Sequence, residues 1–228
     1  MSLGALHVIK RSNSVTNGAG AVIFLHGSGG SGHEVMNWIT FLVGRNSFPK
    51  HINFYFPTAP SRPYTPAYGE LSTVWFDRYS ITPCVPEHME TLEDAGKEIN
   101  KLIHEIVKND GVSPNRIVIG GFSMGGALAL HVAYRFNPGL AGVFTLSSFL
   151  NNDSAIFKEQ KIPEISLYMC HGDRDSLVPI DWGRKTYEDL TKLGVKAEFV
   201  TIKNTLHELK KNEILGLFDW IQKILPSV

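Results

Sequence analysis

Six short apolar segments recur along the chain, and longer stretches of mixed polarity separate them. They occupy residues 21–26, 52–56, 116–120, 141–146, 165–169 and 197–202. Several are apolar at almost every position rather than at alternate ones, which is typical of strands buried on both faces of a parallel sheet. Strands that alternate with helices predict a doubly wound α/β sheet within one domain spanning residues 1–228.

Three of the intervening stretches carry a helical pattern. Residues 90–109 place six apolar side chains on one helical face: Leu92, Ala95, Ile99, Leu102, Ile103 and Ile106. The stretch 181–193 ends before Gly194, and the stretch 208–225 ends before Pro226, and both residue types commonly terminate helices. We therefore expect helices at these three places.

The segment 57–86 fits neither pattern. It contains six prolines, interspersed with the aromatic residues Tyr64, Tyr68, Trp75, Phe76 and Tyr79. Loops of this length in compact domains usually carry a function. The segment is interpreted as one wall of a substrate pocket, with a stiff surface loop that packs its own aromatic residues as the alternative.

Composition excludes several functional classes. The chain has 22 basic and 22 acidic residues, and this balance argues against nucleic-acid binding, which needs a basic excess. An apolar content of 43% argues against intrinsic disorder. The longest apolar runs fall well short of the roughly 20 residues of a membrane span, so no stable membrane anchor is expected.

The cysteines and the first residues indicate the compartment. Residues 1–7 lack the apolar stretch of a secretory signal, and the chain contains only Cys84 and Cys170. Together these features favour a reducing, cytoplasmic environment with free thiols, although one disulfide stays possible.

The strongest chemical signal is the sequence G-F-S-M-G at residues 121–125, between a predicted strand and a helical stretch. In this G-x-S-x-G context a sharp turn exposes the serine hydroxyl at the carboxyl end of the strand. The residues two before and two after the serine must be glycine because side chains there would clash. Ser123 is therefore predicted to be a nucleophile, and a glycine-rich packing turn is the alternative.

A serine nucleophile needs a base and an acid that orients the base, and in this type of sheet they follow in the order serine, acid, histidine. His207 follows the strand at 197–202 and is the only histidine after Gly172. The loop after residue 169 offers both Asp173 and Asp175. Its spacing favours Asp175, which lies deeper in the turn, while Asp173 is expected to cap the turn.

The oxyanion hole should combine the backbone N–H of Met124 with one from the glycine-rich loop after the first core strand. The backbone of Ser28 is the expected second donor, and His26 is expected to hydrogen-bond within the loop. Residues 27–32 also match the dinucleotide-binding pattern G-x-G-x-x-G, but the next strand ends without the acid that contacts the ribose. No clustered metal-ligand spacing occurs either, so we expect neither a cofactor nor a metal.

Several segments together resemble the acyl-protein thioesterase and lysophospholipase family of α/β-hydrolases. They are IFLHGSG at 23–29, WFD at 75–77, GGFSMGGA at 120–127, AGVFTLS at 141–147 and CHGD at 170–173. The segments PTAP at 57–60, YTP at 64–66, VWFDR at 74–78 and SSFLN at 147–151 are closest to its lysophospholipase-like branch. The resemblance extends over about residues 20–225.

The resemblance implies a mostly parallel sheet flanked by helices, without a large cap domain. It implies a cytoplasmic serine hydrolase with Ser123, Asp175 and His207 as its triad and the backbones of Ser28 and Met124 as oxyanion donors. Trp75 would lie near the substrate pocket. The implied reaction is hydrolysis of esters and thioesters through an acyl-enzyme, in the manner of an S-depalmitoylating thioesterase.

Three alternatives stay open at this point. The substrate could be a short-chain or small-molecule ester or a lysophospholipid rather than an acylated protein. The chain could also be a binding module that has kept the fold without the activity. A monomer and a weak dimer are both compatible with the sequence.

Overall fold

The six predicted apolar segments all become strands of one seven-stranded sheet. The computed structural model of the protein describes residues 6–12 and 20–227. Its strands are β1 (His7–Arg11), β2 (Gly20–Leu25), β3 (Ile52–Thr58), β4 (Ser61–Tyr64), β5 (Glu70–Thr73), β6 (Ile117–Phe122), β7 (Gly142–Leu146), β8 (Ser166–Gly172) and β9 (Ala197–Ile202). Residues 1–5, part of the stretch from which the compartment was predicted, lie outside the described residues.

The strand order in the large sheet is β1-β3-β2-β6-β7-β8-β9. In this order, every neighbouring pair from β3 through β2, β6, β7 and β8 to β9 is parallel. Only β1 runs antiparallel, and it pairs with β3. The described part of the chain also forms five α-helices: α1 (Gly32–Val43), α2 (Met89–Asp110), α3 (Met124–Arg135), α4 (Ile180–Lys192) and α5 (Lys211–Ile224). The predicted α/β-hydrolase fold class is confirmed.

The sheet is buried on both faces, and each face has its own hydrophobic core. Alternate residues of β2 show this directly, because Ile23 packs into a core with α2, α3 and α4 while Phe24 packs into a core with α1 and α5. All six residues of β2 are buried. A strand without a solvent-facing side has no polar positions, which explains the continuous apolar runs of the sequence.

The helices differ from the prediction mainly at their ends. Helix α2 buries the whole predicted apolar face. Helix α4 ends just before Gly194, which adopts φ +91°. Helix α5 begins at Lys211 rather than at residue 208, because the Glu213 carboxylate accepts a hydrogen bond from the Lys210 backbone N–H and so caps the helix there.

Helix α1 and the strands β1, β4 and β5 were not predicted. Helix α1 follows the glycine-rich loop. Ser31 is its N-cap residue, and the Ser31 hydroxyl accepts a hydrogen bond from the Glu34 backbone N–H. The proline-rich segment 57–86, predicted as a loop, contains a small antiparallel pair in which Ser61–Tyr64 aligns with Glu70–Thr73. Prolines and four-residue strands leave no periodic signal, which is why the pattern did not reveal this pair.

Both cysteines are free thiols, with Cys84 exposed and Cys170 buried. Among residues 6–12 and 20–227, the structure contains no helix whose length and apolar character would let it span a membrane.

Candidate active site

Ser123 stands in the turn between β6 and α3. Its backbone adopts φ 53° and ψ −121°, a sparsely populated conformation for a residue with a side chain. The Ser123 N–H donates a 2.8 Å hydrogen bond to the carbonyl of Leu146 at the end of β7, which holds the turn against the sheet. This conformation lifts the hydroxyl out of the strand and places it directly before the N-terminus of α3.

The flanking glycines are required by the close approach of β2. A Cβ atom on Gly121 would lie 2.5 Å from the carbonyl oxygen of Leu25, and one on Gly125 would lie 2.4 Å from the same atom. Both distances are far below van der Waals contact. The steric explanation of the G-x-S-x-G spacing therefore holds in this structure.

Asp175 and His207 come from the loops that follow two neighbouring parallel strands, β8 and β9. Nδ1 of His207 donates a 2.6 Å hydrogen bond to Oδ2 of Asp175. Asp173, the alternative acid, is exposed on the same loop. The structure thus brings Asp175 and not Asp173 to the histidine.

The Asp175 carboxylate is held by a dense set of donors. Its Oδ1 accepts hydrogen bonds from the backbone N–H groups of Leu177 at 3.0 Å and Val178 at 2.8 Å. Burial alone would raise the pKa of Asp175, but the hydrogen bonds from His207 and Val178 and the electrostatic interaction with His207 outweigh it. The net effect lowers the pKa of Asp175, so the group stays an acceptor for the His207 ring.

His171 is a second buried histidine beside this carboxylate. Its Nε2–H donates a 2.8 Å hydrogen bond to the carbonyl of Val178 and lies 3.7 Å from Oδ2 of Asp175. Burial lowers the pKa of His171, against the raising effects of the Val178 carbonyl and Asp175. A neutral His171 therefore braces the acid loop. The sequence analysis assigned no role to His171, although the residue belongs to the CHGD segment at 170–173.

Ser123 and His207 line the same small cavity of about 120 Å³, which we call the Ser123 cavity. Its other lining residues are Gly27, Ser28, Tyr64, Arg78, Ile81, Phe122 and Leu177. Among the described residues no hydrogen bond joins the Ser123 hydroxyl to His207. In unliganded enzymes such bonds are often long and shorten only in the substrate complex.

The two predicted oxyanion donors lie close together, with Ser28 on the loop after β2 and Met124 at the first position of α3. The Ser28 hydroxyl contacts the Met124 sulfur at 3.6 Å, which joins the loop after β2 to the start of α3. Within the described part of the chain, neither the Ser28 N–H nor the Met124 N–H donates a backbone hydrogen bond. Both donors are therefore available to a developing oxyanion.

His26 holds the oxyanion loop in place. Its Nε2 accepts a 2.9 Å hydrogen bond from the Ala59 N–H, so its proton is on Nδ1 and is donated to the Gly27 carbonyl at 2.6 Å. Burial lowers the pKa of His26, against smaller raising effects of Gly27 and Glu34. The neutral ring therefore links the loop to the residue that follows β3, as expected for a histidine that does not transfer protons.

Trp75 lies near the pocket, as the resemblance implied, but one layer behind its lining residues. It is buried, and its Nε1–H donates a 2.9 Å hydrogen bond to the His26 carbonyl. The indole packs against the His26 ring with centroids 4.9 Å apart. Trp75 thus contacts the back of the oxyanion loop rather than the cavity, because its large apolar ring is more favourably placed in the core.

A larger groove of about 720 Å³ opens beside the Ser123 cavity, and we call it the α1 groove. It shares Gly27, Ser28 and Phe122 with that cavity and extends along α1. Trp38 and Phe41 stack in it with ring centroids 5.4 Å apart and are 46% and 76% exposed. The site therefore combines a small enclosed cavity at the serine with a wide apolar surface next to it.

Comparison with known proteins gives consistent matches over most of the chain. The sequence profile of the phospholipase/carboxylesterase family matches residues 7–225. The chain is 45% identical to lysophospholipase-like protein 1 of Mus musculus over 91% of this chain and 87% of that protein. It is 37% identical to acyl-protein thioesterase 1 homolog 2 of Dictyostelium discoideum, over 90% and 93% of the two chains.

A solved structure also matches most of the chain. The crystal structure of SOBER1 from Arabidopsis thaliana superposes with a TM-score of 0.79 at 26% identity. The match covers 91% of this chain and 99% of that one.

Proposed function

The chain belongs to the phospholipase/carboxylesterase family of serine hydrolases, and we propose that it cleaves carboxylic esters and thioesters through an acyl-enzyme formed on Ser123. The 2.6 Å hydrogen bond between Asp175 and His207, which lines the same cavity as Ser123, is the observation that most supports this function.

The proposed first step is attack of the Ser123 oxygen on the substrate carbonyl. His207 accepts the serine proton on Nε2, while Asp175 keeps the other ring nitrogen protonated and stabilises the imidazolium that forms. The carbonyl oxygen becomes an oxyanion and accepts hydrogen bonds from the N–H groups of Ser28 and Met124. His207 then returns the proton to the departing alcohol or thiol, and a water molecule releases the acyl group by the same steps in reverse.

The volume of the Ser123 cavity supports a short acyl group. About 120 Å³ lies well below the roughly 300–1,000 Å³ of pockets that enclose drug-sized ligands. The α1 groove supports a second candidate, the removal of long acyl chains from proteins, because its apolar surface could accommodate a hydrocarbon chain that passes Ser28. An acylated protein and a small ester are thus the two proposed substrates.

We further propose that the enzyme acts in the cytoplasm as one domain, as a monomer or weak dimer. Its two free thiols support a reducing compartment.

One series of substrates tests both candidates. Acetyl, butyryl, octanoyl and palmitoyl groups would be offered as oxygen esters and as thioesters, and kcat/KM measured for each. A maximum at acetyl or butyryl is the expected result. A maximum at palmitoyl would favour the long-chain candidate, and no hydrolysis of any member would contradict the proposed function.

A further inference from the structure

Arg78 places a buried cation in the wall of the Ser123 cavity. The residue is 7% exposed, and it lines this cavity together with Ser123 and His207. Arginine is rarely buried to this extent unless a carboxylate or phosphate pairs with it.

No such partner is present among the described residues. The Arg78 side chain takes part in no hydrogen bond and no ion pair there, and its Nε atom is buried without a hydrogen-bond partner. The guanidinium instead packs against two rings, with its central carbon 5.0 Å from the centroid of Phe76 and 5.3 Å from that of Phe149. This packing fixes the cation in one position without neutralising its charge.

The acidic residues whose charges act on Arg78 are engaged elsewhere. The Asp77 carboxylate accepts hydrogen bonds from the Thr65 N–H, the Thr65 hydroxyl and the Arg78 backbone N–H. The Glu87 carboxylate accepts a hydrogen bond from the Ala155 N–H. Neither forms an ion pair with the guanidinium in the described part of the chain.

The Tyr64 hydroxyl is a second buried polar group of the same cavity without a hydrogen-bond partner. A buried donor that is left unpaired costs free energy, and two in one cavity point to a ligand that pairs with both. A carboxylate has enough acceptor positions for a guanidinium and a hydroxyl together.

We propose that Arg78 and Tyr64 bind a carboxylate at the far end of a short acyl group, so that the preferred substrates are esters or thioesters of small dicarboxylic acids. This inference rests on the proposed function, because the acyl group is the part of the substrate that stays on Ser123. The small volume of the cavity limits the chain between the two carboxyl carbons to a few carbon atoms.

The charge distribution favours the acyl side over the leaving group as the source of the anion. In this proposal the leaving group departs through the α1 groove, which is bordered by the carboxylates Glu34 and Glu208, and Glu208 is paired with Lys210 at 2.7 Å. Glu34 would repel an anionic leaving group, whereas the Ser123 cavity offers the unpaired cation. The site thus separates an anionic acyl group from a neutral or basic leaving group.

The test compares three N-acetylcysteamine thioesters. Their acyl groups are succinyl, which carries a free carboxylate, succinamoyl, in which an uncharged amide replaces that carboxylate, and butyryl. Thiol release is followed with the enzyme-free rate subtracted, and kcat/KM is measured for each. The wild-type protein should favour succinyl over succinamoyl by about tenfold or more, since hydrogen bonds to a charged group are the stronger ones. In Arg78→Met this ratio should fall to near one, and in Tyr64→Phe it should fall about threefold.

Two further variants serve as references. Arg184→Met removes an arginine that also lies over an aromatic ring, Phe199 at 5.4 Å, but on α4 outside both cavities, and the ratio should not change. Arg78→Lys keeps the charge and should retain part of the preference. If Arg78→Met does not fold, Tyr64→Phe and Arg78→Lys still report on the ratio.

A wild-type ratio near one, or a ratio unchanged in Arg78→Met, would overturn the proposal. A second arm compares monobutyrin with its glycerol 3-phosphate analogue. If Arg78→Met selectively impaired the phosphate-bearing ester and not the succinyl preference, the anion would belong to the leaving group, and the proposal would be wrong. Failure of the proposed function would give a different result from failure of this proposal. If Ser123 were not the nucleophile, the Ser123→Ala variant would still hydrolyse the butyryl thioester.

Discussion

Nδ1 of His207 lies 2.6 Å from Oδ2 of Asp175, although 32 positions separate the two residues in the chain. They follow β8 and β9, which pair in parallel from Leu167 and Ala197 to Gly172 and Ile202. Because both strands end at the same edge of the sheet, the loops after them meet. This relationship gives the histidine a fixed tautomer before any substrate arrives.

Replacement of Asp175 by asparagine should abolish most of the activity. The amide cannot hold His207 with its proton on Nδ1, and the same change in serine proteases lowers kcat by about 10⁴-fold. Asp173→Asn is the matched control, because Asp173 is exposed on the same loop, and we expect its kcat/KM to stay within about twofold of wild type. Comparable losses in the two variants would contradict the assignment of the acid.

Ser123→Ala should remove labelling by a fluorophosphonate probe and lower kcat/KM on butyryl esters by at least about 10³-fold. The fold should persist, because Ser123 is a half-buried turn position, where alanine leaves out only the hydroxyl and can share the backbone conformation at modest cost. Ser113→Ala, an exposed serine with no side-chain hydrogen bond, serves as the control. Labelling that survives in Ser123→Ala would mean that another residue is the nucleophile.

His26→Phe should lower kcat by about 10²-fold with little change in KM, the size of effect reported for the loss of one oxyanion donor. The phenyl ring fills the space but cannot accept from Ala59 or donate to Gly27, so the loop that carries Ser28 loses its fixed position. His51→Phe is the control, since His51 bonds the Leu225 carbonyl away from both cavities. An unchanged kcat in His26→Phe would exclude this positioning role.

The contribution of His131 to stability should decrease as the pH falls from about 6.5 towards 4, while that of Glu213, whose pKa burial raises to about 7, changes in the opposite direction. Burial, together with the charge of Arg135, lowers the pKa of His131 from 6.5 to about 4, while Glu93 and Glu159 act in the opposite direction. The unfolded chain therefore takes up a proton at a higher pH than the folded chain, and the stabilisation present above pH 6.5 is lost as the pH falls towards the folded pKa. The loss should amount to roughly 1–3 kcal/mol.

Denaturant unfolding at pH 7 and pH 4.5 measures this effect. His131→Gln should remove this contribution from the pH dependence, and His104→Gln, a change at an exposed histidine of α2, should leave the pH dependence unchanged. Some dependence should persist in His131→Gln, because burial also lowers the pKa of His26 and His171. An identical pH dependence in wild type and His131→Gln would contradict the prediction.

The sequence predicted the parts of the fold that depend on local periodicity and local sterics. The six core strands could be predicted because burial on both faces leaves an uninterrupted apolar run. The turn at Ser123 could be predicted because only glycine fits at Gly121 and Gly125 beside Leu25. Helix α2 could be predicted because its buried face repeats with the period of a helix.

The remaining features depended on which distant residues meet. Asp173 and Asp175 are two positions apart on one loop, and only the packing of that loop against β9 sets Asp175 facing His207 and leaves Asp173 in solvent. Trp75 belongs to a segment with no periodic signal, so its contact with His26 could not be predicted. The unpaired charge of Arg78 has no signature in the sequence either, because the absence of a partner is a property of its three-dimensional surroundings.

Sequence alone therefore predicted the six core strands and the position of the reactive serine and favoured Asp175 as the acid, since periodicity and backbone sterics act over a few neighbouring residues. Tertiary structure decided the placement of Asp175 beside His207, the division of the site into a small cavity and an open groove, and the position of Arg78 in the wall of the cavity. These features arise where the ends of parallel strands and the loops after them converge, and the distances involved are set by packing across the whole sheet.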